Sequence, residues 1–138
     1  MIRFSVLASS SRGNATVISG GGTHVLVDTG ISALRIRKGL AECELSDAQL
    51  SGVFFTHEHQ DHVCGLGVLS KKRSLPLYCS RYLSKDLRGM APNATMTYLE
   101  PGQTVQVGAL KVTPFCVSHD AADRWAIFLN AREFGWAM

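Results

Sequence analysis

The stretch Thr56-His57-Glu58-His59-Gln60-Asp61-His62 gathers three histidines and an aspartate into one short run of a 138-residue chain. Directly before it stands Val53-Phe54-Phe55, an apolar run with the length and composition of a buried strand. Residues 63–72 read as a helix. The four polar groups therefore crowd a loop at the carboxyl end of a strand, where open α/β sheets place their sites. Side chains alternate along an extended backbone, so His57 and His59 can face the same way and share one ion. Asp61 and His62, beyond the turn, can face a second. Imidazole nitrogen and carboxylate oxygen suit Zn²⁺, whose catalytic sites keep one position open for water. The bland alternative is a polar loop whose histidines cap the following helix. One histidine would merit that reading; this density, straight after a β run, favours metal binding.

The chain before the motif reads as a meander. Residues 2–8 and 15–19 form strands around a polar turn, and Gly20-Gly21-Gly22 connects to a third strand over 23–27. That strand delivers Asp28-Thr29-Gly30 to the same sheet edge as the histidine loop. A carboxylate at Asp28 could orient a ligand imidazole through its free N–H, with a helix cap as the alternative reading. His24, within the strand, reads as a surface or packing residue. Residues 32–40 read as a helix with Ile31, Leu34 and Leu40 apolar, and Ser46-Asp47-Ala48-Gln49 resembles a capping box. Gly65 and Gly67 weaken the helix over 63–72 and suggest close backbone approach.

Farther on, residues 76–79 read as a strand and Ser80 as the cap of a helix reaching about residue 89. Arg81, Lys85 and Arg88 recur at helical spacing, either as a solvated face or as a groove for a nucleic-acid backbone. Strands follow over 95–99, 104–107, 110–115 and 125–130, with another beginning at 134. The strand over 110–115 runs into Ser118-His119-Asp120, in which a lone histidine would ordinarily be structural. Asp120 and Asp123 read as loop-shaping residues.

Composition limits the alternatives. Hydrophobic residues make up 46% and charged residues 18%, which supports a packed core and argues against disorder. The length allows one domain at most. A net charge of +3 tolerates a polyanionic substrate without demanding one. The four cysteines, Cys43, Cys64, Cys79 and Cys116, are widely spread with no C-x-x-C pair and read as free core thiols of a reducing cytosol rather than a disulfide framework. No signal peptide or long apolar span is visible, so a cytoplasmic protein without membrane contact is expected.

His57-x-His59-x-Asp61-His62 resembles the signature of the metallo-β-lactamase fold superfamily, and its Asp-His ending that of the glyoxalase II, phosphodiesterase and nuclease branches. Ser9-Ser10-Ser11-Arg12-Gly13-Asn14, Leu26-Val27-Asp28-Thr29-Gly30, Gly65-Leu66-Gly67-Val68-Leu69 and Val117-Ser118-His119-Asp120-Ala121-Ala122-Asp123 extend the likeness to the YycJ/WalJ-like branch. That branch is associated with DNA exonuclease activity. The resemblance implies an αββα sandwich, an α/β fold represented mainly by its first half. It implies that His119 joins His57 and His59 around a first metal, Zn²⁺ or Mn²⁺, and that Asp61 and His62 hold a second. Asp61 would also orient the nucleophile, a hydroxide held by the metals, and Asp28 would stand behind the ligands. The substrate implied is DNA or another phosphodiester, with Arg81, Lys85 and Arg88 as candidate backbone contacts.

The likeness weakens after about residue 123. Relatives follow the strand at Gly135-Trp136-Ala137 with an aspartate that bridges both metals, and later with another histidine; neither has a counterpart here. Residues 1–138 are therefore expected to be one domain of this type, cut short on its carboxyl side. Alone they should hold at most about one metal, given three ligands for the first site. They should also tend to self-associate and show little hydrolysis. A thioesterase of glyoxalase II type and a catalytically incomplete metal-binding or interaction module are the alternative readings.

Overall fold

A computed structural model of the chain describes residues 2–10, 13–56, 63–71, 74–81, 83–116, 125–131 and 134–137. Three antiparallel strands open it: β1 (Ile2–Ser10), β2 (Gly13–Gly20) and β3 (Thr23–Val27). Helix α1 (Ala33–Glu42) and a short 3₁₀ turn (Asp47–Gln49) return the chain to β4 (Leu50–Phe54), which lies parallel to β3. Two further parallel strands, β5 (Leu77–Cys79) and β6 (Met96–Tyr98), complete a six-stranded sheet in chain order. Helices α2 (Leu66–Leu69) and α3 (Ser84–Met90) lie in the two crossovers. A second, antiparallel sheet contains β7 (Val105–Val107), β8 (Leu110–Cys116), β9 (Trp125–Ala131) and β10 (Phe134–Ala137), in the order β10-β9-β8-β7.

Strand alternation sorts the apolar side chains into two cores. On one face of the first sheet Ala15, Val17, Leu26, Val53, Phe55, Leu77 and Cys79 pack with Ile36 and Leu40 of α1, Leu66 and Leu69 of α2, and Leu87 of α3. On the other, Ile18, Val25, Val27 and Phe54 meet Val107, Leu110 and Val112 of the second sheet. The described residues thus build the helix–sheet–sheet layers of the expected αββα sandwich. Each layer buries the face that its own hydrophobic period exposes.

Most local expectations agree with the structure. Ser32 caps α1 by accepting the Arg35 N–H at Oγ, 3.2 Å away. Gln49 Oε1 accepts the Ser46 N–H at 2.9 Å, as the capping box requires. Leu34 is the exception in α1, at 68% exposed, while Ile36 takes the core position. The spacing Ala33, Ile36, Leu40 is the helical stripe, and Leu34 falls off it. The helix expected over 63–72 is correspondingly short, Leu66–Leu69 among the described residues, with two glycines in its first turn region. The helix expected from Ser80 starts only at Ser84. Ser80 instead closes a turn by accepting the Leu83 N–H at both its carbonyl and its Oγ, 3.2 Å each.

Candidate metal centre

Because β3, β4, β5 and β6 run parallel, their carboxyl ends share one edge of the sheet, and the segments leaving them carry the candidate site. Asp28 leaves β3 in a left-handed conformation, φ 64°, which among non-glycine residues aspartate tolerates better than most. Its N–H donates to the Phe54 carbonyl at 2.8 Å, continuing the parallel ladder one step beyond the strand. Its carboxylate turns to the next strand. Oδ1 accepts the Thr56 N–H at 2.9 Å and Oδ2 accepts the Thr56 Oγ1–H at 2.6 Å. Asp28 is buried and Thr56 half-buried, so these bonds are partly shielded from water. The helix-cap alternative for Asp28 thus does not hold: Ser32 caps α1, and Asp28 fastens the residue that immediately precedes the histidine loop.

The far side of that loop is fastened by the same turn. Gly65 N–H donates to the Thr29 carbonyl at 2.6 Å, and Gly30 N–H donates to the Asn14 carbonyl at 2.7 Å. Asp28-Thr29-Gly30 thus ties together the start of β2, the end of β4 and the approach to α2. A Cβ on Gly65 would stand 2.2 Å from the Ile31 carbonyl oxygen, which explains the glycine. Gly67 makes no such approach, its nearest would-be contact being Met90 O at 3.8 Å, so close approach holds for only one of the pair. Gly65→Ala should therefore cost about 1–3 kcal/mol through overpacking against backbone. Gly67→Ala should be neutral or stabilising by up to about 1 kcal/mol. Urea unfolding of both variants checks the contrast, and equal stabilities would contradict it.

The five predicted ligands, His57, His59, Asp61, His62 and His119, lie outside the described residues, as do Asp120 and Asp123. Among the described residues no group of three or more His, Cys, Asp or Glu side chains is gathered to hold a metal. His24 belongs to β3 and meets Ser19 Oγ at 2.6 Å through Nδ1, in keeping with a packing role. Among the described side chains Cys43, Cys64 and Cys79 are free: Cys43 is half-buried, Cys64 exposed and Cys79 buried. Among these three, only Cys79 is thus a fully buried core thiol. Burial pushes its thiol up to about 11, against a smaller lowering by the Arg88 charge, so it stays neutral and unreactive near pH 7. Tyr78, raised by burial, stacks on Phe54 with ring centroids 4.4 Å apart and braces the same edge from the sheet–sheet side.

The basic residues divide. Lys85 and Arg88 belong to α3, whereas Arg81 sits in the turn before it with its guanidinium over the Tyr98 ring, 4.4 Å from the centroid. The single helical face that grouped all three is thus not what the chain forms. Two partners were not foreseen. Thr56 could have been suspected, as a hydroxyl residue directly after an apolar strand; Tyr98 offered no signal beyond its place at a strand end.

Among known proteins, the chain is 37% identical over 125 residues to the exodeoxyribonuclease YycJ of Bacillus anthracis, covering 88% of this chain and 47% of that protein. It is 34% identical over 129 residues to the exodeoxyribonuclease WalJ of Streptococcus pneumoniae, covering 86% and 46%. The chain spans about half the length of the curated relatives it matches. In fold it resembles the metallo-beta-lactamase fold protein YhfI of Bacillus subtilis, with a TM-score of 0.78 at 16% identity over 99% of this chain and 60% of that one. It also resembles Zn²⁺-bound PqqB of Methylobacterium extorquens, with a TM-score of 0.74 at 17% identity over 99% and 61%. Residues 10–108 match the family described as the metallo-beta-lactamase superfamily, and with its sheets and crossovers in agreement, the chain belongs to that superfamily.

Proposed function

We propose that the chain belongs to a metal-dependent hydrolase that cleaves phosphodiester bonds in DNA from an end. The observation that carries this reading is the double clamp, in which Asp28 fastens Thr56 and Thr29 fastens Gly65 on either side of the histidine loop. Four hydrogen-bonding and ligating residues on an untethered loop would hold a metal poorly; tethering both flanks supplies the preorganisation that a metal shell needs. Identity to proteins named exodeoxyribonucleases supports the choice of substrate. Residues 1–138 are proposed to lie within a single domain of this type.

The donor set fits zinc: neutral imidazoles and carboxylate oxygen, with both oxygens of Asp28 engaged by Thr56 rather than offered to an ion. In this proposal His57, His59 and His119 hold one metal, and Asp61 and His62 hold a second. Bound divalent metal lowers the pKa of water and neutralises charge developing on the phosphate oxygens. Asp61 accepts a hydrogen bond from the attacking water and so orients it toward phosphorus. Asp28 acts through Thr56, setting the direction in which the loop leaves β4. Manganese can serve the same ligands, so the metal is proposed as zinc or manganese.

Among the described residues no helix is long and apolar enough to cross a membrane. A cytoplasmic location is part of the proposal, supported by the free Cys43, Cys64 and Cys79. So is self-association, supported by the exposed Phe4 and Val6 of β1, an edge strand of its sheet. The substrate class is tested on a protein that carries this chain at the length of its relatives. Shortening of end-labelled DNA, with no turnover of a small thioester, is the expected result. The reverse pattern would move the reading to the thioesterase, and no turnover of either to a binding module.

A further inference from the structure

We propose that Arg81, laid on the ring of Tyr98, anchors a phosphate of the nucleic-acid strand next to the bond that is cut, with Tyr98 as its positioning residue. The inference rests on the phosphodiester reading above and adds to it a specific contact. Arg81 follows β5 by way of Ser80, and Tyr98 ends β6; Cys79 and Tyr98 are register partners of those parallel strands. Both side chains therefore rise from the sheet edge that carries Asp28 and Thr56.

The arginine is held at two points. Its carbonyl accepts the Ser84 Oγ–H at 2.7 Å, inside the turn closed by Ser80. Its guanidinium lies 4.4 Å from the Tyr98 ring centroid. A stacked guanidinium spends one flat face on the ring and keeps its N–H edge free for an anion. Among the described residues the ion pair formed is Arg37–Asp47, and Arg81 has no carboxylate partner there. The side chain is exposed while Tyr98 is half-buried, so the ring works as a fixed platform and the cation as the presented group. Prior fixing of a long side chain lowers the entropy lost when it binds.

Distance along the edge agrees. Phe55 N–H donates to the Tyr78 carbonyl at 3.0 Å, pairing the end of β4 with β5. At about 5 Å per strand step, Arg81 stands one strand from Thr56 and Tyr98 roughly 10 Å from it. A strand of nucleic acid crossing the edge at the histidine loop would bring a neighbouring phosphate over this pair. Lys85 and Arg88 have no aromatic platform among the described residues, and the charge of Arg88 acts on the buried Cys79 thiol instead.

The test is the salt dependence of binding of a fluorescent single-stranded oligonucleotide to a protein that carries this chain at the length of its relatives. Arg81→Ala should weaken binding and flatten the log K against log salt slope by about 0.7, the value for one phosphate on a single strand. Tyr98→Leu should have a smaller effect in the same direction, and Tyr98→Phe, which keeps the ring, should have none. Arg81→Lys should keep the slope while losing affinity, since the point charge survives and the stack does not. Arg81 is exposed, so its alanine variant decides the matter even if Tyr98→Leu does not fold. An unchanged slope and affinity in Arg81→Ala would overturn this inference alone. Lost affinity with an unchanged slope would also overturn it, since it would mark base stacking rather than a phosphate contact. A parent protein of that length without salt-dependent binding would overturn the inference together with the nucleic-acid reading.

Discussion

Replacing His57 or His59 with alanine is expected to weaken zinc binding by more than the roughly 100-fold that marks the upper end for changes behind a ligand shell. In the proposed site of three imidazoles for one ion, no spare ligand would replace the one removed, since the open position would belong to water. Glu58→Gln should change zinc affinity only a few-fold, if the loop follows the alternation expected from its sequence, which would turn Glu58 away from its two neighbours. Calorimetric zinc titration of the three variants measures this directly. Equal losses in all three would mean that the loop is not extended through His57-Glu58-His59 and that the alternation argument fails.

The Asp28 series comes next in size. Asp28→Ala strips the Thr56 N–H and Oγ1–H of their acceptors, which stand at 2.9 and 2.6 Å in the structure. A fully buried donor left without a partner costs about 1–3 kcal/mol, and the half-buried Thr56 donors should fall toward the lower end of that range. Alanine at φ 64° adds about 1–2 kcal/mol of backbone strain. Asp28→Gly relieves the strain and restores neither acceptor; Asp28→Asn tolerates the conformation and keeps one acceptor oxygen. Stability should therefore fall in the order parent, Asn, Gly, Ala. Zinc affinity should fall about 10- to 100-fold in the alanine variant, as for other residues that orient a ligand loop. Urea unfolding and zinc titration on the same samples separate the two effects. Reduced stability with unchanged zinc affinity would make Asp28 a folding residue with no role behind the metal.

The strands were legible because each carries its own period. Residues 23–27 and the run at Val53 alternate or saturate with β-branched and aromatic side chains, and both became strands of the parallel part of the sheet. The convergence of Asp28 and the histidine loop followed from that, since parallel neighbours end on the same edge. Helix limits were less legible. Residues 63–72 hold enough apolar side chains for a longer helix, yet Gly65 is pinned against the Ile31 carbonyl, a tertiary contact that no local pattern records. Likewise Arg81 fits a helical spacing with Lys85 and Arg88, but the Ser80 turn and the Tyr98 ring take it elsewhere. The bond from Asp28 to Thr56 joins residues 28 positions apart, beyond any local signal. As for His119, nothing in its spacing singles it out, and its assignment comes from the resemblance of its segment to the family.

The most direct measurement is the rate of nucleotide release from end-labelled DNA by a protein carrying this chain at the length of its relatives, taken before chelation, after it, and after zinc or manganese is restored. The expected result is activity that disappears with the metal and returns with it in the parent protein, and does not return in His57→Ala. Release that survives chelation, or that persists undiminished in His57→Ala, would contradict a hydrolase built on this histidine loop.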